Sequence, residues 1–226
     1  MDTSSDILSD WIAGQALALN VESSDQLDSD IDRWMRALGP DVRVLGIGEP
    51  LHGGEAFLQL RNRLFQRLTR AHGFSAIALE SSYPKGLALD AYVKGQGGDD
   101  LETACANGAS HGFGALEANR ELIAWMRAIN RGAGANRPRV YGFDGPMEMW
   151  STGSPRLCLR VVLDYLEQVG SARSAQRESI EALLGPDEPW ENPAAMMDPT
   201  QAHGGSAAAR ALRLEVEDLL LEFGSQ

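Results

Sequence analysis

One pattern occurs three times along this chain: a short apolar run is followed by a longer segment with helical spacing. The apolar runs are Val42–Ile47, Phe74–Leu79 and Arg139–Phe143. Runs of this length indicate buried strands. Because strands that alternate with helices pair in parallel through right-handed crossovers, we expect an α/β fold with a mainly parallel sheet.

Each of the three predicted strands leads into an acidic residue. Glu49 comes just after the first strand and is joined by His52, Glu80 follows the second, and Asp144 follows the third. The carboxyl ends of parallel strands meet at one edge of a sheet, which is where such folds bind ligands. The sequence therefore predicts a site at this edge.

Charge and cysteine content exclude several classes of function. The chain has 226 residues and a net charge of -12, which repels phosphate backbones and anionic membrane surfaces, so we expect neither nucleic acid nor membrane as a partner. Its two cysteines cannot form a disulfide framework. The amino terminus has no basic signal region and no stretch reaches membrane-spanning length, so we expect a cytoplasmic protein.

The pattern changes after Pro146. From there onward the spacing predicts only helices, at 156–169, 174–184 and 207–223, and no further strand. We therefore divide the chain into an α/β core with the site, residues 1–150, and a helical subdomain, residues 151–226.

Several motifs together resemble the erythromycin esterase family. They share the family's order and approximate spacing, with Arg61 nine residues after His52, and they are Gly48-Glu49-x-x-His52-Gly53, Arg61, Ala78-Leu79-Glu80, Trp125-x-Arg127-x-x-Asn130 and Gly142-Phe143-Asp144. The first motif alone is weak evidence, whereas the ordered set is specific.

This resemblance implies a fold, a reaction and roles for three residues. The fold is a three-layer α/β/α core followed by a helical subdomain, and the reaction is hydrolysis of a carboxylic ester, in named members the lactone of a macrolide antibiotic. His52 matches the family's general base, and Glu49 and Arg61 match residues that assist it. Family members are longer and carry further histidines downstream, so we expect this chain to be an amino-terminal part or a short relative.

The chemistry of these three side chains agrees with such a reaction. An imidazole titrates near neutral pH and can take a proton from attacking water, which accelerates hydrolysis by about 10²–10⁴-fold. A carboxylate at Glu49 would orient the ring of His52 and stabilise its cation. Arg61 would stabilise the tetrahedral oxyanion or pair with an acid, unless it is only a surface residue of its helix.

Three further residues are predicted to contact the substrate, a small-molecule ester. They are Glu80, Asp144 and His111. Each acid has an alternative role at a chain turn, Glu80 as the cap of the helix that Pro84 opens and Asp144 as the cap of its own turn.

Three alternatives stay open. Glu49, His52, Glu80 and Asp144 could hold a divalent metal ion that activates water, although we expect no cofactor because no second histidine is placed by the sequence. The chain could also bind a ligand without turnover. Ser110 lies in a Gly-x-Ser-x-Gly motif, but the segment before it reads as helix and loop rather than the strand that a nucleophile elbow requires.

The last helix generates a prediction about assembly. Its apolar positions, Leu212, Val216, Leu219, Leu220 and Phe223, form one side that nothing later in the chain covers. We expect self-association through this helix because exposed apolar surface drives contact between copies. Light scattering should give a mass above that of one chain, and a monomer over the whole concentration range would contradict the prediction.

Overall fold

The chain forms a helix-rich mixed structure with a small parallel sheet. The computed structural model describes residues 3–96, 98, 100–132, 137–145, 147–148 and 151–224. Helices account for 64% of the described residues, and within that part of the chain the parallel sheet consists of two strands, so helical packing provides most of the core.

The elements follow one another in an order close to the expected one. The helices are α1 (Thr3–Gln15), α2 (Ser24–Leu38), α3 (Glu55–Ala71), α4 (Tyr83–Val93), α5 (Leu101–Gly108), α6 (Glu117–Arg131), α7 (Arg156–Gln168), α8 (Arg177–Leu184) and α9 (Ala207–Gly224). The strands are β1 (Ala76–Ser82), β2 (Arg139–Asp144), β3 (Met147–Glu148) and β4 (Ser151–Thr152). Short 3-10 helices lie at 113–115, 172–176, 193–196, 199–201 and 203–205.

Contacts divide the chain into two compact units. Unit 1 contains residues 1–77 and 116–139, and unit 2 contains residues 78–115 and 140–226. The expected division into an α/β core and a helical subdomain near residue 150 stays a prediction, and residue 150 itself lies outside the described residues.

Unit 1 has a core between α2 and α3. Its buried side chains share a four-residue spacing on each helix, and they are Leu27, Ile31, Met35, Leu64 and Leu68. Ser23 begins α2 because its side chain accepts the N–H of Gln26, and Gly39 ends that helix at φ 93°. The apolar spacing and these stop signals explain why both helices fall where the sequence predicts them.

Unit 2 has a separate core formed by the last three α-helices. Its buried side chains are Leu159, Leu163, Leu166, Ile180, Leu184, Leu212 and Leu219. The predicted apolar side of α9 is therefore divided, because Leu212 and Leu219 pack inward while Leu220 is 64% exposed. Neighbouring Leu221 is 73% exposed, and self-association through this surface stays a prediction.

A close approach joins α4 to the sheet. Gly142 in β2 lies so near the end of β1 that a Cβ atom at this position would be 2.4 Å from the carbonyl oxygen of Ser82. Gly86 of α4 approaches β2 equally closely. A Cβ atom added at Gly86 would be 2.3 Å from the backbone nitrogen of Gly142. Only glycine allows this packing.

The first predicted strand is wrong. Residues 42–47 have no regular secondary structure, and Val44 is 85% exposed. A strand needs a neighbouring ladder to bind its N–H and C=O groups, and among the described residues the parallel sheet contains only β1 and β2. The three-layer α/β/α arrangement is therefore not confirmed.

Two smaller predictions about strands also need correction. β1 runs three residues further than expected, to Ser82, so Glu80 lies inside the strand and not beyond its carboxyl end. The helical region after Pro146 was expected to contain no strand, yet β3 and β4 pair there as a short antiparallel ladder with Met147 opposite Thr152. Two-residue strands escape prediction because they are shorter than any apolar repeat.

No helix among the described residues combines the length and apolar character needed to cross a bilayer.

A polar network ties α2 to the end of α3. Arg67 donates two hydrogen bonds to the carboxylate of Asp32, at 2.9 and 2.5 Å, and His72 Nε2 lies 2.8 Å from the same carboxylate. The Arg67 hydrogen bonds are the main reason why the pKa of Asp32 falls to about 2. His72 therefore has a structural role at the end of α3, as its position in the sequence suggests.

This network predicts a loss of stability in acid. An unfolded aspartate has a pKa of about 3.9, so the contribution of Asp32 is present above about pH 4 and is lost as the pH falls towards about 2. Urea unfolding, followed by circular dichroism across this range, should show a steeper fall for wild type than for Asp32→Asn. Other acids titrate equally in both proteins, so parallel curves would contradict the assignment to Asp32.

Candidate active site

The Gly48-Glu49-x-x-His52-Gly53 segment forms a closed turn directly before α3. Glu49 Oε1 accepts the backbone N–H of Gly53 at 3.3 Å, and the N–H of Gly54 donates to the carbonyl of Leu51 at 3.0 Å. Gly53 has a φ of +72°, which glycine adopts without strain. The turn therefore brings the Glu49 carboxylate back onto the backbone just before the helix.

Glu49 and His52 meet within this turn. His52 Nδ1 lies 3.3 Å from Glu49 Oε1, and the imidazole is 68% exposed while the carboxylate side chain is 26% exposed. A carboxylate is an acceptor, so this contact favours the tautomer with a proton on Nδ1 and a lone pair on Nε2. The pair has the arrangement of a general base and the acid that orients it.

Arg61 lies two turns into α3 and is half-buried. Its guanidinium donates to the side-chain oxygens of Asn62 and Asn119, each at 2.8 Å. Burial lowers the pKa of Arg61, and the negative charges of Glu49 and Glu55 oppose this shift. The surface alternative for Arg61 is thus wrong, because its head group is bound inside unit 1.

Glu55 fixes the partner helix. Its two carboxylate oxygens accept the backbone N–H groups of Glu117 and Ala118, both at 2.8 Å, at the start of α6. Backbone N–H groups of the first helical turn have no partner inside the helix, so a carboxylate there stabilises it. α3 and α6 are therefore joined beside Arg61.

The Trp125-x-Arg127-x-x-Asn130 motif contributes to the structure of unit 1. The ring of Trp125 packs edge-on against Phe65 at 5.9 Å, and the side-chain nitrogen of Asn130 donates to the carbonyl of Pro138 at 3.1 Å. Arg127 is 5% exposed. These positions hold α6 in place.

In unit 2, His111 and Asp144 meet. His111 Nε2 lies 3.3 Å from Asp144 Oδ2, with the histidine side chain 13% exposed. His111 has a φ of 59°, a left-handed conformation that a residue with a Cβ rarely adopts. Such strain is concentrated at functional sites, so this residue is a candidate for more than packing.

Glu80, the remaining predicted substrate residue, is half-buried within β1 of unit 2. The six predicted site residues are divided between the two compact units. Unit 1 contains Glu49, His52 and Arg61, and unit 2 contains Glu80, His111 and Asp144.

Ser110 is part of the core and is fully buried. Its hydroxyl oxygen accepts the N–H of Ser82 at 3.0 Å, and its own N–H donates to the hydroxyl of Ser81 at 2.9 Å. The helix α5 precedes it, where a nucleophile elbow has a strand. These bonds give Ser110 the role of joining the segment around His111 to the end of β1.

Sequence reasoning missed a cleft in unit 2 of about 380 Å³. Its lining combines apolar, cationic and acidic side chains, and its residues include Pro84, Lys85, Leu157, Arg160 and Glu191. Arg156 in the same wall is bound by Asp187 at 2.8 Å and by Glu181. No local sequence motif predicts this cleft, because its residues come from three distant parts of the chain.

Comparison with known proteins identifies relatives of this chain. A sequence profile of the family described as Erythromycin esterase matches residues 69–226. An Escherichia coli protein named erythromycin esterase type II is 25% identical over 174 residues, which cover 77% of this chain and 38% of that protein. The profile match includes Glu80, His111 and Asp144, whereas Glu49, His52 and Arg61 lie before it.

Two solved structures share the fold. One is a Bacillus cereus protein with a TM-score of 0.61 at 17% identity. The match covers 94% of this chain and 54% of the Bacillus cereus chain. The other is described as a succinoglycan biosynthesis protein, with a TM-score of 0.64 at 18% identity. The match covers 97% of this chain and 52% of the chain of that protein. This chain therefore spans about half the length of either protein.

The buried position of Ser110 gives a testable expectation. Ser110→Ala removes the acceptor of the Ser82 N–H, so unfolding free energy should fall by about 1–3 kcal/mol in urea denaturation. A fluorophosphonate probe should leave Ser110 unlabelled in the folded protein, as read by peptide mass spectrometry. Ser179→Ala, at an exposed position, serves as the control with a change within about 0.5 kcal/mol. Labelling of Ser110 in the native state would contradict this role.

Proposed function

Because this chain belongs to the erythromycin esterase family, we propose that it is a hydrolase of the esterase type in which His52 activates water for attack on a carboxylic ester. The observation that carries this proposal is the contact of 3.3 Å between His52 Nδ1 and Glu49 Oε1. It supplies an exposed imidazole that is oriented by a carboxylate, which is the minimum that base-catalysed hydrolysis requires.

The proposed reaction begins with a proton transfer. The Nε2 lone pair of His52 takes a proton from water while the water oxygen attacks the ester carbonyl. The imidazolium that forms is stabilised by the negative charge of Glu49. When the tetrahedral intermediate collapses, the same proton passes from His52 to the leaving alcohol oxygen, which restores the base and releases acid and alcohol.

The reaction also requires a positive charge that stabilises the oxyanion, and Arg61 provides it. The ester carbonyl oxygen becomes an oxyanion as water adds, and a fixed cation or N–H donor lowers the energy of that state. We assign this role to Arg61 because its guanidinium is held in place within unit 1 and lies in the electrostatic field of Glu49.

Substrate contacts are proposed for the three remaining predicted residues. Glu80, His111 and Asp144 offer hydrogen-bonding groups, and the strained backbone of His111 supports a functional role there. The name of the Escherichia coli relative refers to erythromycin. We therefore propose the lactone of a macrolide as a candidate ester, and its hydrolysis would open the ring and inactivate the antibiotic.

The extent of the match favours a second candidate function. This chain covers 38% of the Escherichia coli esterase, so it could bind the ester without turning it over. For the same reason we propose that the three-layer α/β/α core and its helical subdomain are features of the longer family fold.

The proposal predicts a specific loss on substitution. His52→Ala should lower the hydrolysis of 4-nitrophenyl acetate by about 10²–10⁴-fold, because the base is gone. Glu49→Gln should lower it less, since an amide still orients the ring but carries no charge. His203→Ala is the matched control, because His203 packs on Trp190 in unit 2, and it should keep the wild-type rate. The measurement is the initial rate, with melting temperature recorded for each variant.

Equal rates for wild type and His52→Ala would contradict the catalytic role and favour ligand binding without turnover. A chelator distinguishes the metal alternative, since we propose a reaction without a cofactor and expect no change in rate. Loss of activity with chelator and its return with added metal would replace the proposed mechanism with metal-activated water.

A further inference from the structure

Neutral oxygen atoms hold the head group of Arg61. Its Nη2 donates to Asn62 Oδ1 and to Asn119 Oδ1, both at 2.8 Å, and its Nε donates to Asn62 Oδ1 at 3.2 Å. These bonds use three of the five N–H groups of the guanidinium. The remaining two are both on Nη1, and none of the residues that the structure describes accepts a hydrogen bond from them.

Arg67, nearly two turns further along α3, is bound by carboxylates instead of amides. Two carboxylates bind it, Asp32 at 2.5 Å and Asp28 at 3.2 Å, so its charge is neutralised by direct ion pairs. These pairs raise the pKa of Arg67, whereas burial lowers the pKa of Arg61. The same helix thus carries one arginine whose charge is balanced at contact distance and one whose charge is not.

The two amides are themselves fixed. Asn62 is 4% exposed, and its side-chain nitrogen donates to the carbonyl of Ala118 at 2.6 Å. Asn119 is the next residue of α6, whose first turn is bound by both carboxylate oxygens of Glu55. Each oxygen therefore reaches Arg61 from a rigid element, which limits the movement of the guanidinium.

An arginine that lies even partly away from water is usually paired with a carboxylate, because an unpaired charge is costly there. Amide oxygens orient the guanidinium with their dipoles but leave its full positive charge in place. That arrangement is costly for folding and useful for binding an anion. Among the described residues no ion pair joins Glu55 to Arg61, and both Glu55 oxygens accept backbone N–H groups of α6.

We propose that Asn62 and Asn119 are positioning residues, which hold Arg61 as a charged donor whose Nη1 binds an anionic oxygen of the ligand. This proposal rests on the proposed hydrolysis for the identity of that oxygen, the oxyanion of the tetrahedral intermediate. The binding of a tetrahedral anion is a separate property that requires no turnover.

Two substitutions of Asn119 separate positioning from support of the fold. Asn119→Asp keeps an acceptor for Nη2 and adds a negative charge, whereas Asn119→Ala removes the acceptor and leaves the charge of Arg61 unbalanced. If Asn119 only supports the structure, alanine should do more harm. If it keeps the arginine charged and oriented, aspartate should do more harm, because it neutralises the guanidinium.

The experiment uses phenylphosphonate as the anion and the ¹⁵N-labelled full chain. The side-chain Nε–H signal of Arg61, assigned by its loss in Arg61→Lys, should shift as phenylphosphonate binds. We expect the affinity to fall at least about tenfold in Asn119→Asp and less in Asn119→Ala, with the same order for kcat on 4-nitrophenyl acetate. Asp28→Asn is the control, because it removes a charge from α2 that pairs with Arg67 and not with Arg61. It should alter neither the phenylphosphonate affinity nor kcat.

The outcomes distinguish this inference from the proposed function. Anion binding in the expected order without any ester hydrolysis would refute the hydrolase and leave the role of the two asparagines standing. Hydrolysis with Asn119→Ala weaker than Asn119→Asp, or no response of Arg61 to phenylphosphonate, would overturn the inference. If Asn119→Asp does not fold, Asn119→Ala tests the positioning role by itself. The inference then requires that the Nε–H signal of Arg61 shows a more mobile side chain in Asn119→Ala than in wild type.

Discussion

The junction between α3 and α6 is the constraint on which the candidate site of unit 1 depends. Glu55 binds the first N–H groups of α6, and Asn62, about two turns further along α3, donates to the carbonyl of Ala118. Arg61 lies between these two residues of α3, so any loosening of the junction would release its guanidinium. The turn with Glu49 and His52 leads directly into the same helix. Hydrogen bonds buried between two helices therefore provide the rigid base for an exposed pair of catalytic type.

Local features of this site could be predicted from the sequence, whereas its long-range contacts could not. The spacing of Glu49 and His52 within one turn suggested that they meet, and the structure gives a contact of 3.3 Å. Apolar periodicity placed the helices close to their observed bounds because each helix buries one face. Asn119, in contrast, is 58 residues from Arg61 along the chain. No sequence pattern predicts which distant residue an asparagine on a helix will bind.

The errors in the predicted fold have one physical origin, since a strand is defined by its neighbour. The apolar composition of residues 42–47 suits a strand, but no ladder partner pairs with it among the described residues, and Val44 is 85% exposed. Glu80 was misplaced because an apolar run does not reveal where pairing with β2 ends. His111 was expected as a ligand contact, but its left-handed backbone and its contact with Asp144 became visible only in the structure.

The tautomer of His52 is the most direct test of the proposed chemistry, because base catalysis through Nε2 requires the proton to be on Nδ1 beside Glu49. The ¹⁵N chemical shifts of the two ring nitrogens, recorded above the titration range of an imidazole, distinguish the tautomers. We predict a protonated Nδ1 and an unprotonated Nε2 in wild type, with loss of this preference when Glu49 is replaced by alanine. A ring protonated on Nε2, or a tautomer ratio that ignores the removal of Glu49, would contradict the central claim.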